Sequence, residues 1–330
     1  MKPVIDLLIP TYNRIKFLRP NILRTLLQLK AAGLEELVVI HIKDNCSTDE
    51  TETVIRDIIK SNESLVKIHY TRNVTNIGLE NNVIAILKEA KADHVMFLGD
   101  DDFLADGYLG EVINLISNNK EISYIVPAYD ELYSDGRVYA RRRSDKVNDS
   151  YEPGIRAVLD LASYSHQLSG LVFQRAGTID EYLRHSSCKN IYLFTSFACF
   201  NMLRGRSVFL RGFSTSVWCG NTKDWSYDES GLLSEIYKNY IPYFRGRALA
   251  RVQISHTRKQ IWRLRPSYKS PIKFLRSIQH LWKQDSPHWL TKMTLVFLPF
   301  VEFPTLISDC LKGDKRFIYK PNLLRDYGVE

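Results

Sequence analysis

The sequence predicts an α/β fold with a mostly parallel central sheet flanked by helices, on three observations. Apolar runs of four to seven residues alternate with amphipathic stretches over the first 130 residues, as a parallel sheet buried on both faces requires. Polar clusters follow four of these runs directly, where the ligands of open α/β sheets bind. Neither G-x-G-x-x-G after the first run nor G-x-x-x-x-G-K-[ST] anywhere is present, which disfavours a dinucleotide-binding dehydrogenase and excludes a P-loop.

Taken in order, Val4–Ile9 reads as a strand, Phe17–Lys30 as a helix and Leu37–Lys43 as a strand. Asp49–Ser61 follows as a helix, with Ser47 as N-cap and Glu50 closing a capping box. Val66–Thr71 is a strand, Leu79–Glu89 a helix, His94–Leu98 a strand, Leu104–Ser117 a helix and Ile122–Ala128 a strand. Beyond them, Glu131–Tyr139 reads as a hairpin turning at Asp135-Gly136. Ser270-Pro271 opens a helix that places Ile272, Leu275, Ile278, Leu281 and Trp282 on one face, with Lys273, Arg276, His280 and Lys283 elsewhere around it. That helix is either a core-packing element with a solvated basic side or one that lies on anionic lipid. Met293–Val301 is apolar but interrupted by Pro299, and too short to span a bilayer.

The clusters after the strands carry the chemistry. They are Pro10-Thr11-Tyr12-Asn13-Arg14, Asp44-Asn45-Cys46-Ser47-Thr48-Asp49, Asn73 to Gly78, and Gly99-Asp100-Asp101-Asp102. Three adjacent carboxylates at a strand end repel one another. A divalent cation relieves that repulsion, and hard oxygen ligands suit Mg²⁺ or Mn²⁺ completed by substrate phosphates and water. The alternative is an acidic flank favoured by the dipole of the helix predicted from Leu104. Asp44 reads either as the acceptor for an imide N–H of a nucleotide base or as the head of an Asx-turn. Arg14 faces phosphate or solvent. Asn76 and Gly78 precede a helix, and Gly78 is either a turn residue or the gap that lets the helix start approach a ligand.

Charge is divided along the chain. Residues 1–240 carry 28 basic and 31 acidic side chains, and residues 241–330 carry 17 and 6. Between Glu235 and Asp285 there is no carboxylate against twelve Lys or Arg, a surplus that calls for an anionic partner. A nucleic acid is the poorer choice, because the acidic triplet would then lack a role and the aromatics form no RNA-binding motif. Five cysteines without a C-x-x-C pair and the lack of signal-peptide regions after Met1 predict reduced thiols in a cytoplasmic protein.

The ordered clusters, with Ile9-Pro10-Thr11-Tyr12-Asn13-Arg14 first and Phe97-Leu98-Gly99-Asp100-Asp101-Asp102 last, resemble family 2 glycosyltransferases of the GT-A fold. The likeness is strongest to bacterial O-antigen and capsule transferases of the abequosyltransferase-like kind. It implies that residues 1–240 form the transferase unit, with 1–130 binding a nucleotide-sugar donor and 131–240 serving the acceptor side. It implies that Pro10, Thr11, Tyr12, Arg14, Asp44, Asn76, Gly78 and Asp100 line the donor site and that Asp101 and Asp102 lie nearest the cation. Gly99 stands where the family often has the first Asp. Leu168-Ser169-Gly170-Leu171-Val172-Phe173 resembles the acceptor-side strand. The base that takes the acceptor proton is usually a Glu-Asp before the next helix, where this chain has Lys189-Asn190. Asp180, Glu181, His185 and Asp224 are the substitutes at hand. Processive synthases carry Q-x-x-R-W; Gln260-Ile261-Trp262-Arg263 does not match it, so no polymerase is implied. Residues 241–330 are expected to form a basic helical region, and 241–290 a peripheral attachment to the inner face of the bacterial inner membrane, which suits a lipid-diphosphate-linked saccharide acceptor.

Overall fold

The computed structural model describes residues 3–135, 137–141, 149–185, 188–219, 229–260, 276, 279–297, 300 and 317–319. In chain order the elements are β1 (Ile5–Thr11), α1 (Ile15–Ala32), β2 (Val38–Asp44), α2 (Thr51–Asn62), β3 (Lys67–Arg72), α3 (Gly78–Glu89), β4 (His94–Phe97), α4 (Tyr108–Asn118) and β5 (Ile122–Leu132). There follow β6 (Arg137–Arg141), β7 (Ser150–Tyr151), α5 (Ile155–Leu161), β8 (Val172–Gln174), α6 (Thr178–Arg184), α7 (Leu193–Arg204), β9 (Arg206–Trp218), α8 (Glu229–Lys238), α9 (Gly246–Lys259) and β10 (Phe317–Tyr319). The strands join one sheet in the order β10-β6-β5-β8-β4-β1-β2-β3, with β9 pairing β5 and β7. The β4-β1-β2-β3 half is parallel, as the apolar runs predict, and β8 lies antiparallel between β4 and β5.

Strand alternation divides the core between the two faces. Leu7, Ile9, Ile40, Ile42 and Met96 pack with Leu18 and Ile22 of α1, Ile55 of α2 and Val112 of α4. Leu8, Val95 and Phe97 face the other way, onto Val83 and Leu87 of α3, Val158 of α5 and Phe194 and Phe197 of α7. Leu249 and Val252 of α9 enter this second cluster, so the chain beyond residue 240 begins inside the core of the α/β unit. Further on, Leu281 and Leu295 pack against Leu233 and Tyr237 of α8.

Three local expectations are corrected. The helix placed at Leu104 begins at Tyr108, behind Gly107 in the left-handed region at φ 79°. A helix dipole acts within its first turn, so it does not account for the triplet ending at Asp102. The capping box is not formed either: α2 starts at Thr51 behind Glu50 without a side-chain cap, and Ser47 Oγ instead accepts from Asn13 N at 2.8 Å. The Glu131–Tyr139 hairpin pairs Leu132 with Val138, while Gly136 lies outside the described residues. Of the predicted basic helix, residues 276 and 279–283 are helical, and Ile272, Lys273, Leu275 and Ile278 lie outside the described residues. Leu281 is buried and Trp282 exposed, so these neighbours do not share one apolar face.

Candidate active site

The parallel strands end side by side, and their carboxyl-end loops meet. Thr11 pairs with Asp44 across β1 and β2, and Leu98 N donates to Leu8 O at 3.0 Å as β4 leaves the sheet. The backbone then turns tightly, with Asp102 N donating to Gly99 O at 3.2 Å. Asn21 of α1, buried, donates from Nδ2 to Gly99 O at 3.0 Å and to Asp102 O at 2.5 Å. A Cβ at Gly99 would fall 2.9 Å from Asp102 Oδ2 and 3.1 Å from Ser169 Oγ. A side chain at position 99 would therefore displace the Asp102 carboxylate and the Ser169 hydroxyl from their contact.

The three carboxylates point to different partners. Asp100 accepts from Thr11 Oγ1 at 2.7 Å and lies 3.2 Å from Arg14 Nε. Burial and the Asp101 charge push its carboxyl up to about 7 despite those donors. Asp102 turns the opposite way, accepting from Trp218 N at 3.0 Å, Gln167 Nε2 at 3.0 Å and Ser169 Oγ. Burial and Asp101 push it up to about 8. Asp101 stands between them and pairs with Arg14 Nη2. It is the most open of the three, its side chain 20% exposed against 9% for Asp100. Arg14 is steadied by the Phe17 ring, 5.2 Å away.

Beside the triplet, the loops after β1, β2 and β3 lock together through short polar side chains. Asn13 Oδ1 accepts from Thr48 N at 2.7 Å, and Asn45 Oδ1 accepts from Ile77 N and Asn73 Nδ2, both at 3.0 Å. Asn76 Oδ1 accepts from Asn45 Nδ2 at 2.8 Å and from Gly78 N at 2.9 Å. Asn13 and Cys46 hold φ of 53° and 69°, a conformation costly for residues other than glycine. Pro10 is buried, and Tyr12 is 41% exposed over this cluster. Asp44 is fully enclosed: Oδ1 accepts from Ser47 N at 2.8 Å, Oδ2 from Tyr70 OH at 2.7 Å, and Arg72 Nε lies 3.5 Å away. The loop-forming role of Asp44 is thus present in the geometry. Asp44→Ala leaves Ser47 N and Tyr70 OH unpaired, which should cost ~1–3 kcal/mol of stability in a denaturant titration. A parallel loss of ~1–3 kcal/mol in nucleotide affinity by calorimetry is expected if the carboxylate also reads a base. An unchanged dissociation constant would leave Asp44 as a loop staple only.

Next to the triplet's strand, β8 runs antiparallel to β4, so Gln174 meets His94 at the far end of the strand from the triplet. Asp180, in the first turn of α6 after that end, is exposed. Glu181 accepts from Arg184 Nη1 at 2.6 Å and from His185 Nε2 at 3.1 Å, an ion-paired cluster on the helix surface. None of the three makes a described contact with the triplet, and Asp224 lies outside the described residues. Asn190, at the position where the resemblance implies a Glu-Asp pair, is buried. Its Oδ1 accepts from Tyr192 N at 2.7 Å, and its Nδ2 donates to Cys188 O at 2.7 Å. The residues that reach the triplet from this side are Gln167, Ser169 and Trp218. Ser169 belongs to the Leu168–Phe173 segment, but its link to Asp102 spans 67 residues and leaves no local pattern.

A sequence profile described as Glycosyl transferase family 2 matches residues 6–183. The chain belongs to this family. Abequosyltransferase RfbV of Salmonella typhimurium is 33% identical over 119 residues, 36% of this chain and 34% of that protein. An uncharacterized glycosyltransferase of Haemophilus influenzae is 28% identical over 137 residues, 41% of this chain and 42% of that one. The matches thus span well under half the length of these curated relatives. Among solved structures, residues 1–349 of S. aureus TarS in complex with UDP-GlcNAc superpose with a TM-score of 0.59 at 15% identity, covering 84% of this chain and 81% of that one. The mannosyltransferase PcManGT of Pyrobaculum calidifontis, in complex with GDP-Man and Mn²⁺, gives 0.54 at 11% identity, over 92% and 87%. At such identities the likeness is one of fold, the GT-A fold of glycosyltransferases.

Proposed function

We propose that this family 2 glycosyltransferase moves a sugar from a nucleotide-sugar donor onto a lipid-diphosphate-linked saccharide during assembly of a bacterial surface polysaccharide. The observation that carries the reading is the Asp100-Asp101-Asp102 turn, held by Thr11, Arg14, Asn21 and Ser169 at the carboxyl end of β4. TarS and PcManGT, which share the fold, have been captured with UDP-GlcNAc and GDP-Man.

The triplet is suited to a shared metal rather than a protein cage. Among the described residues no group of three or more His, Cys, Asp or Glu could hold an ion on its own. Mg²⁺ and Mn²⁺ sites completed by substrate phosphates need one or two carboxylates. Asp101, the open member, supplies one; Asp102, whose oxygens already accept from Gln167, Ser169 and Trp218, orients the turn from behind. When bound, the cation would offset charge developing on the leaving diphosphate. Arg14 adds a second positive charge there, and Asp100 fixes Arg14 and Thr11. Tyr12, Asp44, Asn76 and Gly78 shape the nucleoside side. The acceptor hydroxyl must lose a proton as its oxygen bonds to the sugar and the nucleoside diphosphate leaves with its electron pair. Asp180, Glu181 and His185 are proposed for that proton from the sequence alone: none of them makes a described contact with the triplet, and Glu181 is engaged by Arg184 and His185.

A second reading, a nucleotide-sugar binder without turnover, is favoured by the structural use of Asn190. The test is a thermal-shift series with nucleoside diphosphates and nucleotide sugars, with and without Mn²⁺, followed by turnover on a lipid-linked acceptor. A metal-dependent shift with turnover supports transfer. A shift without turnover supports the binder, and no shift with any nucleotide would sink both. Among the described residues no helix is long and apolar enough to cross a membrane. The basic region 241–290 supports attachment to an anionic membrane surface, where such an acceptor resides.

A further inference from the structure

We infer that the protein docks on lipid by burying one face of the helix at 289–297, together with Phe300 and Trp282, in the interfacial layer of an anionic bilayer. The inference rests on the membrane-facing reading of the basic region, and it assigns the insertion to a different segment. Trp289 is 64% exposed, Met293 40% and Phe297 57%, and Phe300 beyond them is 78% exposed. Spacings of four residues put Trp289, Met293 and Phe297 within one helical stripe, and Phe300 follows three residues further along the chain. Trp282 lies beside it, 48% exposed and tied in by Lys292 Nζ, which donates to Trp282 O at 2.7 Å. Five of the twelve large apolar side chains exposed among the described residues therefore fall between positions 282 and 300. Scattered apolar residues need no explanation, but a contiguous stripe does.

The opposite side of the same helix is fastened to the protein. Leu295 is buried against Leu233, Tyr237 and Leu281. Thr291 Oγ1 donates to Gln253 Oε1 at 2.9 Å, and His288 N donates to the same oxygen at 2.8 Å. Gln253 Nε2 donates to Ser286 O at 2.7 Å. Gln253 is fully buried in α9, whose Leu249 and Val252 belong to the core shared with α3, α5 and α7. The stripe is thus presented by a helix with its own buried face and polar anchors, and what it presents is Trp, Met and Phe. These side chains suit the headgroup–acyl boundary.

Charge selects the occupant. The stripe follows the stretch from Glu235 to Asp285, with twelve Lys or Arg and no carboxylate between those two residues. Arg276 and Lys283 are exposed, as is Asp285. A second copy of this chain would bring the same positive surface against itself, whereas a bilayer rich in anionic lipid neutralises it.

The experiment is flotation of the full chain with phosphatidylcholine vesicles, with and without phosphatidylglycerol, at low and high salt. The parent should float with the anionic vesicles and be only partly released by salt, because apolar burial is not screened. Trp289→Glu with Phe297→Glu should lower vesicle affinity by at least about 10- to 100-fold at either salt, the scale of exposing a single buried aromatic ring and so a lower bound for two. Trp289→Phe should retain binding, and melting temperatures of all variants, with and without nucleotide sugar, should match the parent. Arg276→Glu with Lys283→Glu should remove the salt-sensitive part only. If the double Glu variant floats like the parent, the stripe is not the insertion surface, although the basic region still attaches. If the parent floats with neither vesicle, the membrane reading fails with it. A parent that sediments as a dimer without lipid, and becomes monomeric in the Trp289/Phe297 variant, would assign the stripe to a second copy.

Discussion

Asp101→Asn should lower sugar transfer by about 100- to 1,000-fold, the range seen when a preorganised charge partner of a transition state is removed. The fold should survive, because the ion pair lost to Arg14 is set against repulsion relieved at its neighbours. Asp101 is one of the charges that push Asp100 up to about 7 and Asp102 up to about 8, together with burial. Removing it relieves repulsion without opening a cavity. The sign of the accompanying pH effect follows from linkage. Both carboxyls have folded values above the 3.8 of a free aspartate, so between about 4 and 8 the folded protein holds more protons than the unfolded chain. Stability contributed by these groups is then lost as pH rises through that window. With a chelator present, the melting temperature of the parent should fall from pH 4 towards pH 8 relative to Asp101→Asn. Mn²⁺ should flatten the difference at the upper end. Parent-like turnover in Asp101→Asn, with unchanged dependence on Mn²⁺, would remove this residue from the metal site.

Gly170→Ala should destabilise the protein by about 2–5 kcal/mol, the sum of a left-handed backbone penalty and overpacking. Gly170 sits at φ 79°, and a Cβ there would meet Thr215 Cγ2 at 2.7 Å and Pro127 Cγ at 2.8 Å. Neither neighbour can yield readily: Thr215 is fully buried in β9, and Pro127 is a fixed ring in β5. The glycine is also bonded on both sides, its N donating to Phe97 O at 2.8 Å and its O accepting from Tyr108 OH at 2.6 Å. Because Ser169 precedes it and donates to Asp102, whatever fraction folds should also lose turnover. Gly212→Ala is the matched control, since a Cβ there meets nothing within 4 Å. A denaturation midpoint for Gly170→Ala equal to that of the control would show that the turn accommodates the methyl.

Both predictions depend on contacts that differ in how far they could be read along the chain. The parallel strands and their order of appearance were legible because burial on two faces forces near-continuous apolar runs, and a run is a local property. The polar loops were legible for the same reason: Pro10 to Arg14, Asp44 to Asp49 and Gly99 to Asp102 each stand next to a strand end. The apolar pattern runs on through Phe103, Leu104 and Ala105 and so predicts too early a start for the helix after the triplet. In the fold, Phe103 instead bridges to Ser216 of β9, a pairing made across more than a hundred residues.

The sequence by itself determined the α/β class, the family resemblance and the convergence of four polar loops, since each is written in residues that are neighbours in the chain. Tertiary structure decided which carboxylate stays open. Asp100 is drawn to Thr11 and Arg14, and Asp102 to Gln167, Ser169 and Trp218, so identical side chains in consecutive positions acquire different surroundings. It decided equally that Leu281 turns inward while Trp282 and Trp289 face out. Hydrophobicity says that a side chain gains from leaving water; only the packing of α8, α9 and the helix at 289–297 sets which of them the protein's own core has room to cover.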